Sequence, residues 1–540
     1  MSSESPNKSL IPAGALPPLK IAKLPEPIPL RRMIGPGIML AGLALGSGEF
    51  VLWPYITYRS GFVFFWACIL GIATQYFLNT EIMRWTLATG ESATTGFIRL
   101  GRYWAGIFLV LNIVPWMLPG WAKGAAQIFS WLVWGPEFVD GKMVTAYQTP
   151  LAIAGMLLCG AILTAGPVIY ETVERIQMVL VSSVMILVIV LAVWLLKDRP
   201  DAILAQAKAT VTFGYPDFVP PMDLGQKEGQ DAEGESGEAA SGDGSESKDV
   251  ISGIVLLSPM LLLGAIAFAG AGGTTNLGES NYVKDKGYGM GALIGRITSP
   301  VTGKEEPVSE IGSHFPHDEA NLARWRRWWW AACTEHFFSF FLTCVICLVL
   351  LTLISYTLFF DADGNRLPEA AQYEQGMGFI WGQADLLRQN ISPWASTIFL
   401  VMGVAILLTT EFGVLDVVSR ISGDIVKTAF LRDNLAWSES RLYYLFLWST
   451  ILLGIGILLL ETAGINVGAL SLFKLSAAMN GGVMFLYSCT LLYMNWFRLP
   501  KPVRIAPWRA VIMLWSIAFF GSFSAWAVWD GVRQIFAAWS

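Results

Sequence analysis

Apolar residues fall along this chain in long unbroken runs rather than on one face of each element. A run of about 18 or more such residues is long enough to cross a bilayer as a helix. The pattern predicts eleven spans, at about 34–58, 62–88, 103–133, 149–166, 171–196, 251–275, 328–358, 394–418, 441–462, 466–495 and 506–530. Aromatic and basic residues mark interfacial ends, most plainly the "RWRRWWW" of 324–330 where span 7 begins. Two polar stretches interrupt the series. Residues 1–33 are proline-rich, lack the apolar core of a secretory signal and are expected as a disordered cytoplasmic tail. Residues 222–250 are a Gly/Ser/Glu/Asp low-complexity linker within an extracytoplasmic segment 197–250. The chain thus divides into five spans (34–196), the linker segment, five more spans (251–495), and an eleventh helix with the C-terminus (496–540). The fold class expected is an all-α polytopic membrane protein.

Composition agrees. Of 540 residues 54% are hydrophobic and 14% charged, against roughly 25% charged in a soluble domain. The net charge of −5 gives no reason to expect nucleic acid as a partner. The partners expected are the lipid bilayer and a transported solute, with oligomeric state left open. The tail and the loops on its side hold about 24 of the 36 basic residues. That bias predicts a multi-pass protein of the cell (inner) membrane with its N-terminus cytoplasmic and its C-terminus outside. The six cysteines lie in or beside apolar segments, and Cys344 and Cys347, spaced C-x-x-C inside "FFLTCVICLVLL", read as small packing residues rather than a metal or redox pair. Three histidines and no nucleophile–base constellation argue against an enzyme.

Candidate chemistry sits where the helical pattern fails. Span 1 carries "GSGEF" (46–50) and span 6 carries "AGAGGTTNLGESNY" (269–282). Glycine costs about 1 kcal/mol in a helix interior, so Gly46, Ser47 and Gly48, and likewise Gly270 to Gly273, are expected to unwind. The two clusters lie five spans apart and therefore run in opposite directions, the signature of inverted repeats with a midplane site. Freed carbonyls beside a carboxylate make an oxygen-rich cage suited to a hard cation. The cage predicted from these residues comprises Gly46, Ser47, Glu49, Ala271, Gly272, Thr274, Asn276 and Glu279. The plainer reading of the glycines is close helix packing.

At these residues the chain resembles the Nramp family of divalent-metal transporters. "GPGIMLAGLALGSGE" (35–49) aligns with that family's opening helix, and "YETVERIQ" (170–177), "TGESATTGFIRLGRYW" (89–104) and "RISGDIVKTAFL" (420–431) resemble later segments. The resemblance implies a LeuT-type fold, an inverted 5+5 repeat plus an eleventh helix, and alternating-access transport of a metal ion as cargo, with no resident cofactor. It also exposes departures. Gly46 stands where the family's D-P-G-N motif has Asp, and Glu49 where it has Asn. The M-P-H motif of span 6 falls near Ala271, Gly272 and Gly273, so Met and His are both missing. An oxygen-only cage is similar to the family's magnesium-transporting branch. Mg²⁺ is therefore the cargo expected, ahead of Mn²⁺ or another divalent ion. Two competing readings stay open. One is a transporter of an amino acid or small organic solute, for which Trp53, Trp116 and Trp121 would line a larger pocket; the other is a non-transporting sensor or scaffold.

Four charged residues inside or near spans, Glu81, Lys123, Glu411 and Lys474, are candidates for the transport pathway or for coupling. For each the competing expectation is a structural ion pair or hydrogen bond. A lone His336, beside Glu335, is expected to be structural, and His314 and His317 to be polar loop residues.

Overall fold

The computed structural model describes residues 10–139, 142–166, 168–214, 250–251, 254–255, 259–295, 297, 311–464 and 468–539. Most of the 222–250 linker therefore lies outside the described residues. Eleven helical spans cross the fold among the described residues, as the apolar runs predict. Eight are long and apolar enough to cross a membrane as they stand. Spans 3 and 6 are each divided into two helices, and span 2 (Phe65–Thr89) carries a buried polar series that includes Gln75, Asn79 and Glu81.

Burial sorts the spans into a centre and a shell. In span 1 (Pro36–Ser60) 94% of the apolar window is buried inside the protein, and in span 8 (Pro393–Ala429) 72%. Spans 4 (Gln148–Ala165), 5 (Ile169–Leu196) and 11 (Pro507–Trp539) bury only 22–33%. Val179, Ile186 and Val193, each seven positions apart on span 5, are 62–66% exposed. That spacing puts them on one helical face, which a bilayer would cover.

Several spans differ from the apolar reading: span 7 begins at Glu319 rather than near 328, and span 8 runs on to Ala429 rather than ending near 418. Span 6 does not end near residue 275 but continues as Gly273–Lys286. Its second half is polar in composition, yet enclosed, because Tyr282, Lys284 and Asp285 find partners on neighbouring helices. Hydropathy registers a helix facing lipid; it does not register a polar helix enclosed by protein. Span 3 is split at 114–119, between Tyr103–Ile113 and Gly120–Trp134, where Pro115 and Pro119 cannot continue a hydrogen-bond ladder.

The expected disordered tail is corrected from residue 10 onward. Residues 10–29 lie as a strap across the face where span 2 ends and span 7 begins. Lys20–Ile21 pairs in parallel with Ser313–His314, Arg99 donates to the Ala13 and Pro17 carbonyls at 2.9 and 2.8 Å, and Trp328 Nε1 donates to the Pro25 carbonyl at 2.9 Å. Its own Ile11, Leu16, Leu19 and Leu24 are buried. A proline-rich segment looks unstructured in sequence, but an extended strap needs no regular ladder of its own.

His314 links the strap to span 2: its Nδ1 meets the Ala88 carbonyl at 2.8 Å and its Nε2 meets His317 Nε2 at 2.9 Å. Burial lowers the His314 pKa to about 4 and lowers that of His317 as well. A histidine whose folded pKa lies below its unfolded value stabilises the fold above the unfolded value, about 6.5, and loses that contribution as pH falls toward the folded one. The protection factors of residues 10–29, exchange rates corrected for the intrinsic slowing of amide exchange in acid, are therefore expected to fall between about pH 6.5 and about pH 4. His314→Gln should flatten that dependence, and protection factors indifferent to pH would refute it.

Candidate functional site

The two glycine clusters meet, but they are not alike. Span 6 is broken: Pro259–Ala267 and Gly273–Lys286 are separated by five non-helical residues, and Gly272 takes φ +78°, which favours glycine. Span 1 does not unwind. Leu45–Leu52 forms a π-helix within one continuous span, so the expectation of an interrupted first helix is corrected. A π-helical turn widens the backbone and is common at functional sites. It also brings span 1 against the break: a Cβ on Gly48 would lie 1.4 Å from the Phe268 carbonyl oxygen, so position 48 admits no side chain. Gly46 faces elsewhere, against Thr410 and Ile406 of span 8.

One side chain holds the broken helix together. Gln75 of span 2 donates Nε2 to the Ala267 and Ile266 carbonyls at 2.9 and 3.3 Å, and its Oε1 accepts from the Gly272 N–H and from Asn276 Nδ2, each at 3.2 Å. It thus caps the end of the first half-helix and the start of the second. The Ala271 and Gly272 carbonyls accept from the Thr275 hydroxyl. These main-chain oxygens, expected to be bare, already have partners. Asn276 also donates to the Tyr487 hydroxyl at 3.0 Å, while its Oδ1 and that of Asn480 beside Gly273 accept no hydrogen bond from the described residues. Thr274 accepts from Trp116 Nε1 at 2.9 Å. Trp116 stacks on Phe268 at 5.6 Å, and Trp121 lies 5.9 Å from the same ring. Rings that could have lined a larger pocket are thus packed on one another. Nothing is described of the Ser47 side chain.

Glu49 is fully buried on the π-helix, and neither carboxylate oxygen accepts a well-formed hydrogen bond from the described residues. Its neighbours are thiols: Cys344 and Cys347 of span 7 lie beside the carboxylate, and Cys68 of span 2 lies near. Glu279 lies elsewhere. Its Oε1 is 3.4 Å from Nδ1 of His336, whose ring is sandwiched between Tyr76 and Phe340. Glu335 turns instead to the start of span 1, accepting from the Gly35 and Gly37 N–H groups at 3.4 and 3.3 Å. His336 and Cys344 are eight positions apart on span 7, which places the two acids' surroundings about 12 Å apart along that helix. Glu49 and Glu279 therefore do not share one cage.

The four pathway candidates have partners. Glu81 is held by Arg84 at 2.6 and 3.1 Å, by Arg509, and by Asn495 Nδ2 at 3.1 Å, a closed network tying spans 2, 10 and 11. Lys123 is paired with Glu461, which also accepts from Thr149 at 2.7 Å. Glu411 reaches the backbone of Ala122. The Lys474 ammonium lies 5.0 Å from the Tyr55 ring. Glu81 and Lys123 are thus held in buried ion pairs, the geometry of the competing expectation. Breaking a buried ion pair from one side costs about 3–5 kcal/mol, so Arg509→Met should lower the thermal midpoint in detergent markedly, and an unchanged midpoint would remove Glu81 from this structural role.

No sequence signal pointed to a further buried ionic network, which joins spans 6, 8 and 9. Arg420 of span 8 is fully buried between Asp416, at 2.8 Å, and Asp285 of span 6. Lys284 bridges to Glu439 at 3.0 Å and to Asp424 at 3.6 Å. Tyr282 and Tyr443 both donate to Asp416.

No family model and no curated protein matches the chain. Solved structures do match in shape. A mutant of the Eremococcus coleocola manganese transporter superposes with a TM-score of 0.60 at 11% identity, covering 95% of this chain and 91% of that one. The same transporter in complex with an aromatic bis-isothiourea substituted compound gives 0.57 at 12%, covering 95% and 90%. The chain therefore has the LeuT-type fold, which it shares with that manganese transporter. At this identity the likeness is one of fold alone.

Proposed function

We propose that this protein is a secondary transporter that moves a divalent cation across the membrane by alternating access, with Glu49 as the charged ligand. The observation that carries the reading is a fully buried carboxylate, on a π-helix pressed against a broken helix, whose two oxygens accept no hydrogen bond from the described residues. A carboxyl group held that way in low dielectric keeps its proton or takes a cation in its place. The fold supports the reading, since solved structures similar to it include those of a manganese transporter. The Arg420 and Lys284 networks join span 6 to spans 8 and 9, and their opening would release an ion on the tail side. Aromatic packing over Thr274 weighs against an organic solute.

Uptake into proteoliposomes of Mg²⁺, Mn²⁺ and an amino-acid panel tests this. Divalent uptake that requires the protein is the expected result; amino-acid uptake alone would replace it. Gly48→Ala should abolish uptake, because a methyl group would force span 1 off the Phe268 carbonyl; overpacking of this kind costs about 1–3 kcal/mol or more. Full transport by that variant would contradict the contact between the two helices.

A further inference from the structure

The turn between spans 10 and 11 carries positive charge that the protein leaves unanswered. From 462 to 529 the sequence holds no acidic residue, yet Arg498, Lys501, Arg504 and Arg509 fall within twelve positions. Arg509 is held by Glu81, which Arg84 shares. Arg498, Lys501 and Arg504 pair with no acid among the described residues. Arg504 lies instead 5.0 Å from the Trp496 ring, and Arg498 lies 5.8 Å from that of Tyr493. Nε of Arg498 is buried without a hydrogen-bond partner among the described residues.

Contacts with spans 2 and 7 fix the turn in place. Arg84 of span 2 donates Nη1 to the Val503 and Arg504 carbonyls at 3.1 and 3.3 Å. The Arg84 and Arg509 guanidinium carbons lie 3.8 and 5.1 Å from the Trp329 ring of span 7. One helical turn before Trp329 stands Arg326, exposed and likewise without an acidic partner among the described residues. Trp330, Phe497 and Trp508, beside these cations, are 57–67% exposed. Amphipathic rings at span ends sit at the level of the lipid headgroups, so the free cations sit there too.

We propose that Arg498, Lys501 and Arg504, with Arg326 across from them, bind the headgroup of an anionic phospholipid on the tail side of the membrane. Clusters of four or more basic residues at the ends of spans attract anionic lipids, and a guanidinium can hold a phosphate through two parallel hydrogen bonds. Charge alone would serve any anion. The exposed rings single out an anion that brings a hydrocarbon chain with it, because a chain covers them and a free ion does not. A headgroup seated here joins the start of span 7 to the turn between spans 10 and 11. The surface is independent of the cation reading and of Glu49.

Titration of the purified full-length protein in neutral detergent with phosphatidylglycerol tests the surface, with bound lipid counted by native mass spectrometry and the thermal midpoint followed alongside. The wild type should retain phosphatidylglycerol and melt higher with it, and phosphatidylcholine should do neither. Arg498→Gln/Lys501→Gln/Arg504→Gln should bind phosphatidylglycerol on the order of 100-fold more weakly, since each basic residue near an anionic surface contributes roughly 5-fold. Lys197→Gln/Lys208→Gln, at the opposite end of the fold, should behave as wild type. Should the triple variant fail to fold, Lys501→Gln alone decides: this exposed residue should cost roughly 5-fold, and unchanged binding overturns the proposal. Equal retention of the two lipids by the wild type, or undiminished phosphatidylglycerol binding by the triple variant, also overturns it. A midpoint raised as far by inorganic phosphate alone would show a free-anion site and overturn the lipid assignment.

Discussion

Glu49→Gln is expected to eliminate divalent-cation uptake while making the cation-free protein more stable. The sign of the second effect follows from burial. In the cation-free wild type the carboxylate is enclosed without a hydrogen bond from the described residues, and an uncompensated buried polar or charged group is destabilising. Glutamine removes the charge and keeps the volume. A bound ion reverses the order, because a ligand that binds only the folded state stabilises it by about 2.7 kcal/mol at a hundredfold excess over Kd. Thermal melts with and without divalent cation should therefore show a metal-dependent rise in the wild type and none in the variant, whose metal-free midpoint lies above that of the wild type. Uptake and melting shifts equal to wild type would remove Glu49 from the site.

Gln75→Leu is expected to have the largest effect on the break itself. Leucine fills a similar volume, but it leaves the Gly272 N–H and the Ala267 carbonyl without their partner, while the Ile266 carbonyl keeps only its bond from the Ala269 N–H. Each buried group left unpaired costs about 1–3 kcal/mol, so the variant should lose several kcal/mol in all and fail in uptake. Gln75→Glu keeps the acceptor for Gly272 and Asn276 but loses the donor to the two carbonyls, and should fall between. A leucine variant that melts like the wild type would show that the break does not depend on this residue.

Much of the architecture is legible in the sequence because the bilayer imposes a length. Runs such as 171–196 announce their spans without reference to any neighbour, and the structure places helices there. The break in span 6 is legible too, since Gly270 to Gly273 cannot be a stable helix interior. Glu49 stands out as an acid within an apolar run. Gln75 carries a faint signal, a polar residue within "IATQYFLN", but nothing local says that it bridges to a helix 191 positions away. Cys344 and Cys347 are visible but read as packing, because a spacing alone cannot show which acid a thiol will face.

By itself the sequence determined which segments are apolar enough to cross a membrane, that span 6 would break at its glycines, and that Glu49 stands as an acid within an apolar run. These are local consequences of side-chain hydrophobicity and backbone propensity. Tertiary structure decided the rest: that span 1 widens into a π-helix instead of breaking, that Glu49 faces sulfur while Glu279 faces His336, and that Glu81 and Lys123 are held in ion pairs. Those outcomes depend on which side chain each group meets across the chain, and a buried polar atom takes its role from the partner that satisfies it.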